Sequence, residues 1–147
     1  MPRLDNSIEI KAPRDRVFEY VANIEMRPEW VKWAKRAEVT SPEHRGIGVT
    51  DVMLMQVGPK KEWVEGIVTE YRDGLLHTRR HTKGMEMTDR VAMVNTAEGT
   101  KVAWSIEYSP PMGPMGKMVD LLFMVRLFDQ LMKDSLNILK ERIETAR

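Results

Sequence analysis

The chain contains no cysteine, so disulfide bonds and metal sites built on thiolates are excluded. This absence is consistent with a reducing compartment. Its charge is nearly balanced, with 23 basic and 22 acidic residues. Nucleic-acid-binding proteins usually carry a basic patch, so nucleic acid is not expected among the partners.

The sequence also has no segment typical of membrane insertion or export. Residues 1–6 lack the apolar core of a signal peptide. The apolar run at 118–132 is about 15 residues long and is interrupted by Asp120, Arg126 and Asp129, whereas a spanning helix needs roughly 20 mostly apolar residues. We therefore expect a cytoplasmic protein that does not insert stably into a membrane.

Length and composition are typical of one domain over residues 1–147, without an internal repeat. A chain of 147 residues is long enough to bury a substantial core. It contains 12 methionines, a high count. Because methionine is flexible and polarizable, it suits cavities that must adapt to their contents.

The order of predicted elements is strand, helix, short helix, then a series of strands. Residues 7–11 alternate polar and apolar, as in a half-buried strand. Pro13 opens a helix, and Pro28 opens a second, short helix that carries Trp30 and Trp33. Further strands are predicted at 37–40, 49–57, 61–71, 75–82, 85–95 and 100–108, and their short connections indicate an antiparallel meander.

The last predicted helix, residues 117–147, changes character along its length. Between 118 and 132 only four residues are polar, which exceeds the apolar content of a helix that packs on one side. The second half has an ordinary apolar stripe of Leu136, Leu139 and Ile143. The first half must therefore contact apolar groups on more than one side, and we expect looser packing and a cavity beneath it.

Two-residue turns at Asp73-Gly74, Lys83-Gly84 and Glu98-Gly99 would sort the meander into two faces. The predicted inner face is apolar: Trp63, Ile67, Tyr71, Leu76, Met87, Val91, Met93, Val102, Trp104, Ile106 and Tyr108. The predicted outer face is polar: Glu70, His77, Arg79, His81, Glu86, Arg90, Lys101 and Glu107. The inner face also receives Glu65, Arg80 and Asp89, and buried charges are costly unless paired, so this cluster suggests a partly hydrated cavity.

Residues 8–24, from Ile-Glu-Ile-Lys-Ala-Pro to Ala-Asn-Ile, are followed by Arg27-Pro-Glu-Trp30. This opening resembles that of the START, birch-pollen-allergen and polyketide cyclase superfamily: a strand, Ala-Pro, a helix with Val-Phe, and a tryptophan beyond. The resemblance implies an α+β helix-grip fold, in which a curved antiparallel sheet wraps a long C-terminal helix and two short helices follow strand 1. Members bind sterols, lipids, quinones, plant hormones or polyketides. Some cyclise or dehydrate a polyketide, and others bind co-chaperone clients.

Within such a cavity we expect a small hydrophobic ligand, such as a lipid, a quinone or a polyketide-like molecule, with at least one polar group. Trp30 and Trp33 are expected near the cavity mouth, and Arg80 with Asp89, Glu65 or Tyr108 would orient the ligand. The full predicted ligand-binding set is Trp30, Trp33, Trp63, Ile67, Arg80, Asp89, Val91, Met93, Trp104, Tyr108, Met118, Leu122 and Val125.

Two other functions remain open. In a cyclase or dehydratase, Arg80 would be the electrophile and Asp89 or Glu65 the acid or base. In a protein-interaction module, the apolar part of the last helix, including Phe123, would contact a partner or form a homodimer. His77 and His81 share a strand face, but no acids converge on them, so neither a metal nor another cofactor is expected.

Overall fold

The three-dimensional structure is a computed structural model that describes residues 2–109 and 118–146, with only the backbone for 118–121. Its strands are β1 (Arg3–Ile10), β2 (Ala34–Val39), β3 (Thr50–Val57), β4 (Lys60–Arg72), β5 (Leu76–Lys83), β6 (Met87–Asn95) and β7 (Thr100–Tyr108). Its helices are α1 (Arg14–Ala22), α2 (Arg27–Trp30) and α3 (Met118–Thr145). A 3₁₀ turn over Ile24–Met26 links α1 to α2.

The strands form one seven-stranded antiparallel sheet in the order β1-β7-β6-β5-β4-β3-β2. The meander from β3 to β7 is consecutive in this order, and β1 and β2 are the two edge strands. Helix α3 packs beside β1 and contacts α2. The curved sheet with its long helix and the two short helices after β1 is the helix-grip fold that the sequence predicts.

The short helices begin where the prolines predict. Pro13 takes an extended conformation directly before α1, whose buried face consists of Val17, Phe18, Val21 and Ala22. Pro28 lies in the first turn of α2, where its missing N–H leaves no helical hydrogen bond unmade. Trp33, predicted to lie on this helix, follows it instead.

The two halves of α3 pack differently, as predicted. The buried stripe consists of Phe128, Met132, Leu136, Leu139 and Ile143. Tight packing thus begins at Phe128, two turns earlier than expected. Before it, Met124, Val125 and Leu127 are half-buried.

The side-chain faces of β6 and β7 are as predicted. Val91, Met93, Trp104 and Tyr108 are buried, whereas Glu107 on the same strand pair is exposed. The loop after β6 is two residues longer than a two-residue turn, because Asn95 pairs with Thr100. An even change in loop length leaves each side chain on its predicted face.

The predicted faces of β5 and of β4 up to Val68 are wrong, whereas Tyr71 packs against the core as predicted. Three residues, 84–86, separate β5 from β6, and Arg79 rather than Thr78 lies opposite Asp89. A shift by one residue moves every side chain of a strand to the other face. Trp63, Glu65, Ile67 and Arg80 therefore point away from the inner face, whereas His77, Arg79 and His81 are buried on it.

The connection between β4 and β5 is also longer than predicted. Arg72 pairs with Leu76, so the loop has three residues, and Tyr71 lies opposite His77. A β-bulge between Val68 and Glu70 then changes the register. The bulge explains why both Val68 and Tyr71 face the interior, although they are three residues apart.

Candidate functional site

The inner face of the sheet carries a buried salt bridge between β3 and β5. Arg79 donates from Nε and Nη2 to Asp51 Oδ2 and Oδ1 at 2.8 and 2.6 Å. Both side chains are almost fully buried. The guanidinium lies over Gly66 of β4, where an added Cβ would come within 2.5 Å of it. The bidentate pair therefore requires glycine at this position of the central sheet.

A second buried pair connects α2 to β6. Arg27 Nη1 lies 3.3 Å from Asp89 Oδ1, and Arg27 Nε donates to the Val21 carbonyl at 3.3 Å. Burial alone would raise the pKa of Asp89, but the guanidiniums of Arg27 and Arg79 outweigh it and hold this pKa below its ordinary value. Asp89 is therefore a carboxylate at neutral pH, and the pair fastens the short helices to the sheet.

Two buried histidines complete this polar cluster, which consists of Arg27, Asp51, His77, Arg79, His81 and Asp89. Burial, together with the nearby Arg27 charge, lowers the pKa of His77 to about 3. Its neutral Nδ1 lies 3.5 Å from Arg27 Nη2. Burial and Arg79 also lower the pKa of His81, whose Nδ1 lies 2.7 Å from the Met85 carbonyl. At neutral pH the polar cluster thus balances two cations with two anions.

The tryptophans predicted at the cavity mouth lie in an aromatic core instead. Trp33 stacks on Trp104 with ring centroids 5.3 Å apart and contacts Phe128 at 4.6 Å. Trp30 lies 5.2 Å from Trp104, and Tyr108 stacks on Phe128 at 4.8 Å. All five rings are buried, so Trp30 and Trp33 anchor α2 and α3 to the sheet.

An apolar cavity of about 220 Å³ lies beyond this core, under the first half of α3. The end of β3 and the hairpin that follows it, the β5–β6 loop and α3 contribute residues to this partly open cavity. Its lining residues are Met55, Val57, Pro59, Lys60, Glu62, Met85 and Met124. The position under the first half of the helix is as predicted, but among the described residues neither Trp30 nor Trp33 lines it.

Polar groups occur at one side of this methionine-lined cavity. Glu62 Oε1 accepts a hydrogen bond from the Met85 backbone N–H at 3.1 Å, and Lys60 Nζ lies 3.8 Å from Glu62 Oε2. Gly84 allows this contact, since its φ is +91° and an added Cβ would lie 2.7 Å from Val64 Cγ1. The glycine thus lets the β5–β6 loop fold onto β4 and places Met85 in the cavity wall.

The three predicted catalytic residues do not meet. Arg80 and Glu65 lie on the outer face, where Glu65 forms an exposed pair with Lys83 at 3.7 Å. Asp89 is on the inner face but belongs to the polar cluster, which contributes no residue to the described lining of the cavity. The geometry therefore separates the groups that a cyclase based on these residues would need to bring together.

The other predicted ligand-binding residues differ in their burial. Val91, Met93, Trp104 and Tyr108 are buried in the core. Trp63 is 56% exposed on the outer face, with Ile67 beside it, and Leu122 is 56% exposed on α3, so their predicted inward orientation is wrong. Val125 is half-buried. The Met118 side chain lies outside the described residues.

The predicted ligand-binding set contains none of the seven described lining residues of the cavity, although Met124 belongs to the group of α3 residues of which part was expected to face it. Two signals pointed toward them: the high methionine count and the Gly58-Pro59 turn after β3. Neither signal shows which methionines share a wall, because this depends on the β5–β6 loop and on how α3 crosses the sheet. The polar cluster was missed because its members come from four separate elements.

The described residues, 2–109 and 118–146, contain neither a cluster of metal ligands nor a membrane-spanning helix. Within them no group of three or more His, Asp or Glu side chains could hold a metal ion. No helix there is long and apolar enough to cross a membrane. Phe123 is 65% exposed on α3 beside Leu122. A homodimer through this helix would need such an exposed surface, and dimerisation stays a prediction.

A helix-grip domain with a partly open apolar cavity is the class that this fold and site define. The model of the polyketide cyclase / dehydrase and lipid transport family matches residues 1–144. The chain therefore belongs to that family. No curated protein matches the sequence.

Solved structures show how widely this fold is shared. A Thermus thermophilus protein, TTHA0849, is 20% identical, with 97% of both chains covered and a TM-score of 0.82. The Zhui aromatase/cyclase from Streptomyces sp. R1128 is 11% identical, with 97% of this chain and 93% of that one covered and a TM-score of 0.81. A START superfamily protein from Mycobacterium smegmatis is 12% identical, with 97% of both chains covered and a TM-score of 0.77. Identities this low support the fold alone.

Proposed function

We propose that the protein binds a small apolar molecule bearing a polar group in the cavity beneath the first half of α3. The observation that carries this proposal is the composition of the wall. Three flexible methionine side chains, Met55, Met85 and Met124, line the cavity together with Val57 and Pro59. Ligand sites are typically apolar hollows with a few polar groups that orient the ligand, and Lys60 and Glu62 supply those groups here.

The volume limits the size of the ligand. An apolar cavity of about 150 Å³ can hold benzene, and this one is about 220 Å³. The space bounded by the described residues therefore accommodates one or two rings, or an aliphatic chain of similar volume. A hydroxyl or carbonyl group on such a molecule would reach Lys60 or Glu62 at the rim.

The family name covers both a reaction and lipid transport, and the described lining supports binding better. Acid–base catalysis needs a proton donor or acceptor within hydrogen-bond reach of the substrate. Lys60 and Glu62 are the ionisable residues in the described lining, and they are paired with each other. Glu62 also accepts a hydrogen bond from the Met85 N–H, so this carboxylate helps to hold the β5–β6 loop in place.

Calorimetric titration with 2-naphthol, a two-ring molecule with one hydroxyl, tests the proposal. We expect saturable binding to the wild-type protein. Met124→Glu should weaken this binding at least about tenfold, because the ligand would have to bury beside a carboxylate. Circular dichroism would establish that the variant remains folded.

Leu122→Glu is the matched control. Leu122 is two residues earlier on the same helix, is 56% exposed and is absent from the cavity lining. Its substitution should leave the affinity unchanged. A wild-type protein that binds no 2-naphthol, or a Met124→Glu variant that binds it as tightly as the wild type, would contradict the proposal.

A further inference from the structure

The described methionines differ in accessibility and in whether they line the cavity, and Met26 is half-buried away from it. Met53, Met87, Met93 and Met132 are buried in the core, each with 3% exposure or less. Met85 and Met124 are half-buried and line the cavity. Met55 lines it as well but is buried. Met85 and Met124 are thus both partly accessible and part of the cavity lining, whereas the four core methionines are neither.

From this difference we infer that Met85 and Met124 are oxidation sites through which peroxide controls ligand binding. The inference rests on the proposed function of the cavity. The methionine sulfur attacks one oxygen of hydrogen peroxide, the O–O bond breaks, and the second oxygen leaves as water after proton transfer. The sulfur is oxidised by two electrons to the sulfoxide, and the peroxide is reduced by two electrons.

Oxidation at these positions changes the wall that the ligand contacts. A sulfoxide is polar and accepts hydrogen bonds, whereas a thioether is apolar and polarizable. An apolar ligand would have to desolvate both sulfoxides without offering them partners, which opposes binding. Met85 approaches from the β5–β6 loop and Met124 from α3, so both oxidised groups would project into the same space.

The modification is chemically reversible. Methionine sulfoxide reductases return the sulfoxide to the thioether. Because the chain has no cysteine, thiol oxidation cannot compete with or mask this response. Peroxide would therefore release the ligand from the cavity, and reduction of the sulfoxides would restore ligand binding.

The experiment treats the purified full chain with hydrogen peroxide and maps oxidation by peptide mass spectrometry. We expect Met85 and Met124 to oxidise well before Met53, Met87, Met93 and Met132, which serve as internal controls. The affinity for 2-naphthol should fall about tenfold, consistent with burying an unpartnered polar group. Treatment with the reductases should restore it, while the circular dichroism spectrum stays unchanged throughout.

A Met85→Leu/Met124→Leu variant separates this response from general damage. Leucine keeps the wall apolar and nearly the same volume, and the affinity of the untreated variant for 2-naphthol is measured first as its own reference. It should retain that affinity after peroxide. Equal loss of affinity in wild type and variant, or oxidation of core methionines first, would overturn the inference. If the untreated wild type binds no 2-naphthol, the proposed function itself fails, which is a distinct outcome.

Discussion

The two ends of the inner face of the sheet differ in whether they bury charged side chains. At the end covered by α1 and α2, the polar cluster buries charged groups in paired contacts, such as Arg79 with Asp51 at 2.6 Å. At the end under the first half of α3, methionines surround an apolar cavity of about 220 Å³. The polar cluster therefore stabilises the fold, whereas the methionine-lined cavity offers space to a ligand.

Removing one partner of the buried β3–β5 pair should have the largest effect. Asp51→Ala leaves the Arg79 guanidinium buried without its carboxylate, so we expect the free energy of unfolding to fall by about 3–5 kcal/mol. Urea denaturation followed by circular dichroism measures this change.

Glu65→Ala provides the contrast on the outer face. Glu65 pairs with Lys83 at 3.7 Å where both side chains are exposed. Such exposed pairs contribute under about 1 kcal/mol, because water screens them. If Asp51→Ala and Glu65→Ala lowered the free energy of unfolding equally, the polar cluster would not stabilise the fold as its geometry indicates.

Acid should weaken the same end through His77. Its pKa is about 3 in the folded protein and 6.5 in the unfolded reference, so between these values the unfolded state binds more protons. Stability from this group is therefore complete above pH 6.5 and is lost as the pH falls toward 3. For wild type relative to His77→Gln, we expect a loss of roughly 2.5 kcal/mol between pH 6 and pH 4.

The lowered pKa of Asp89 also makes the folded protein less stable as the pH falls, at still lower pH. Urea denaturation at several pH values measures the effect, with His44→Gln as the control, since His44 is exposed. A pH dependence that is identical in wild type and His77→Gln would show that His77 does not carry it.

Gly66→Ala should produce a smaller loss. The added Cβ would meet the Arg79 guanidinium at 2.5 Å, and that group is held by Asp51. Displacing it should cost about 1–3 kcal/mol, as overpacking usually does. Combining Gly66→Ala with Asp51→Ala should give less than the sum of the two losses in urea denaturation. If the two losses of unfolding free energy were strictly additive, Gly66→Ala would not act through the Arg79–Asp51 pair.

The order of elements, together with the resemblance of residues 8–30 to a known superfamily, predicted the fold. Only part of the site was predicted. The faces of β6 and β7 were correct because an even error in the loop after β6 preserves them. The predicted faces of β5 were wrong because a three-residue β5–β6 loop resembles a two-residue Lys-Gly turn in sequence. Those of the first part of β4 were wrong because of the β-bulge between Val68 and Glu70. In this loop Gly84 lies close to Val64 of β4, and no local sequence pattern encodes that proximity.

The long helix illustrates what was predictable and what was not. Its excess of apolar residues predicted a cavity under the first half, and the cavity lies there. The identity of the wall was not predictable, since Leu122 and Met124 are equally apolar and two residues apart on the helix. The tertiary crossing of α3 alone decides that Met124 faces inward and that Leu122 is exposed.

The most direct test of ligand binding in the cavity is a methionine-methyl NMR titration of the full chain with 2-naphthol. If the ligand binds in the cavity, the Met55, Met85 and Met124 methyl resonances should shift, with Met53, Met87 and Met132 as unshifted controls. No shifts at the three lining methionines, or shifts confined to the core methionines, would contradict it.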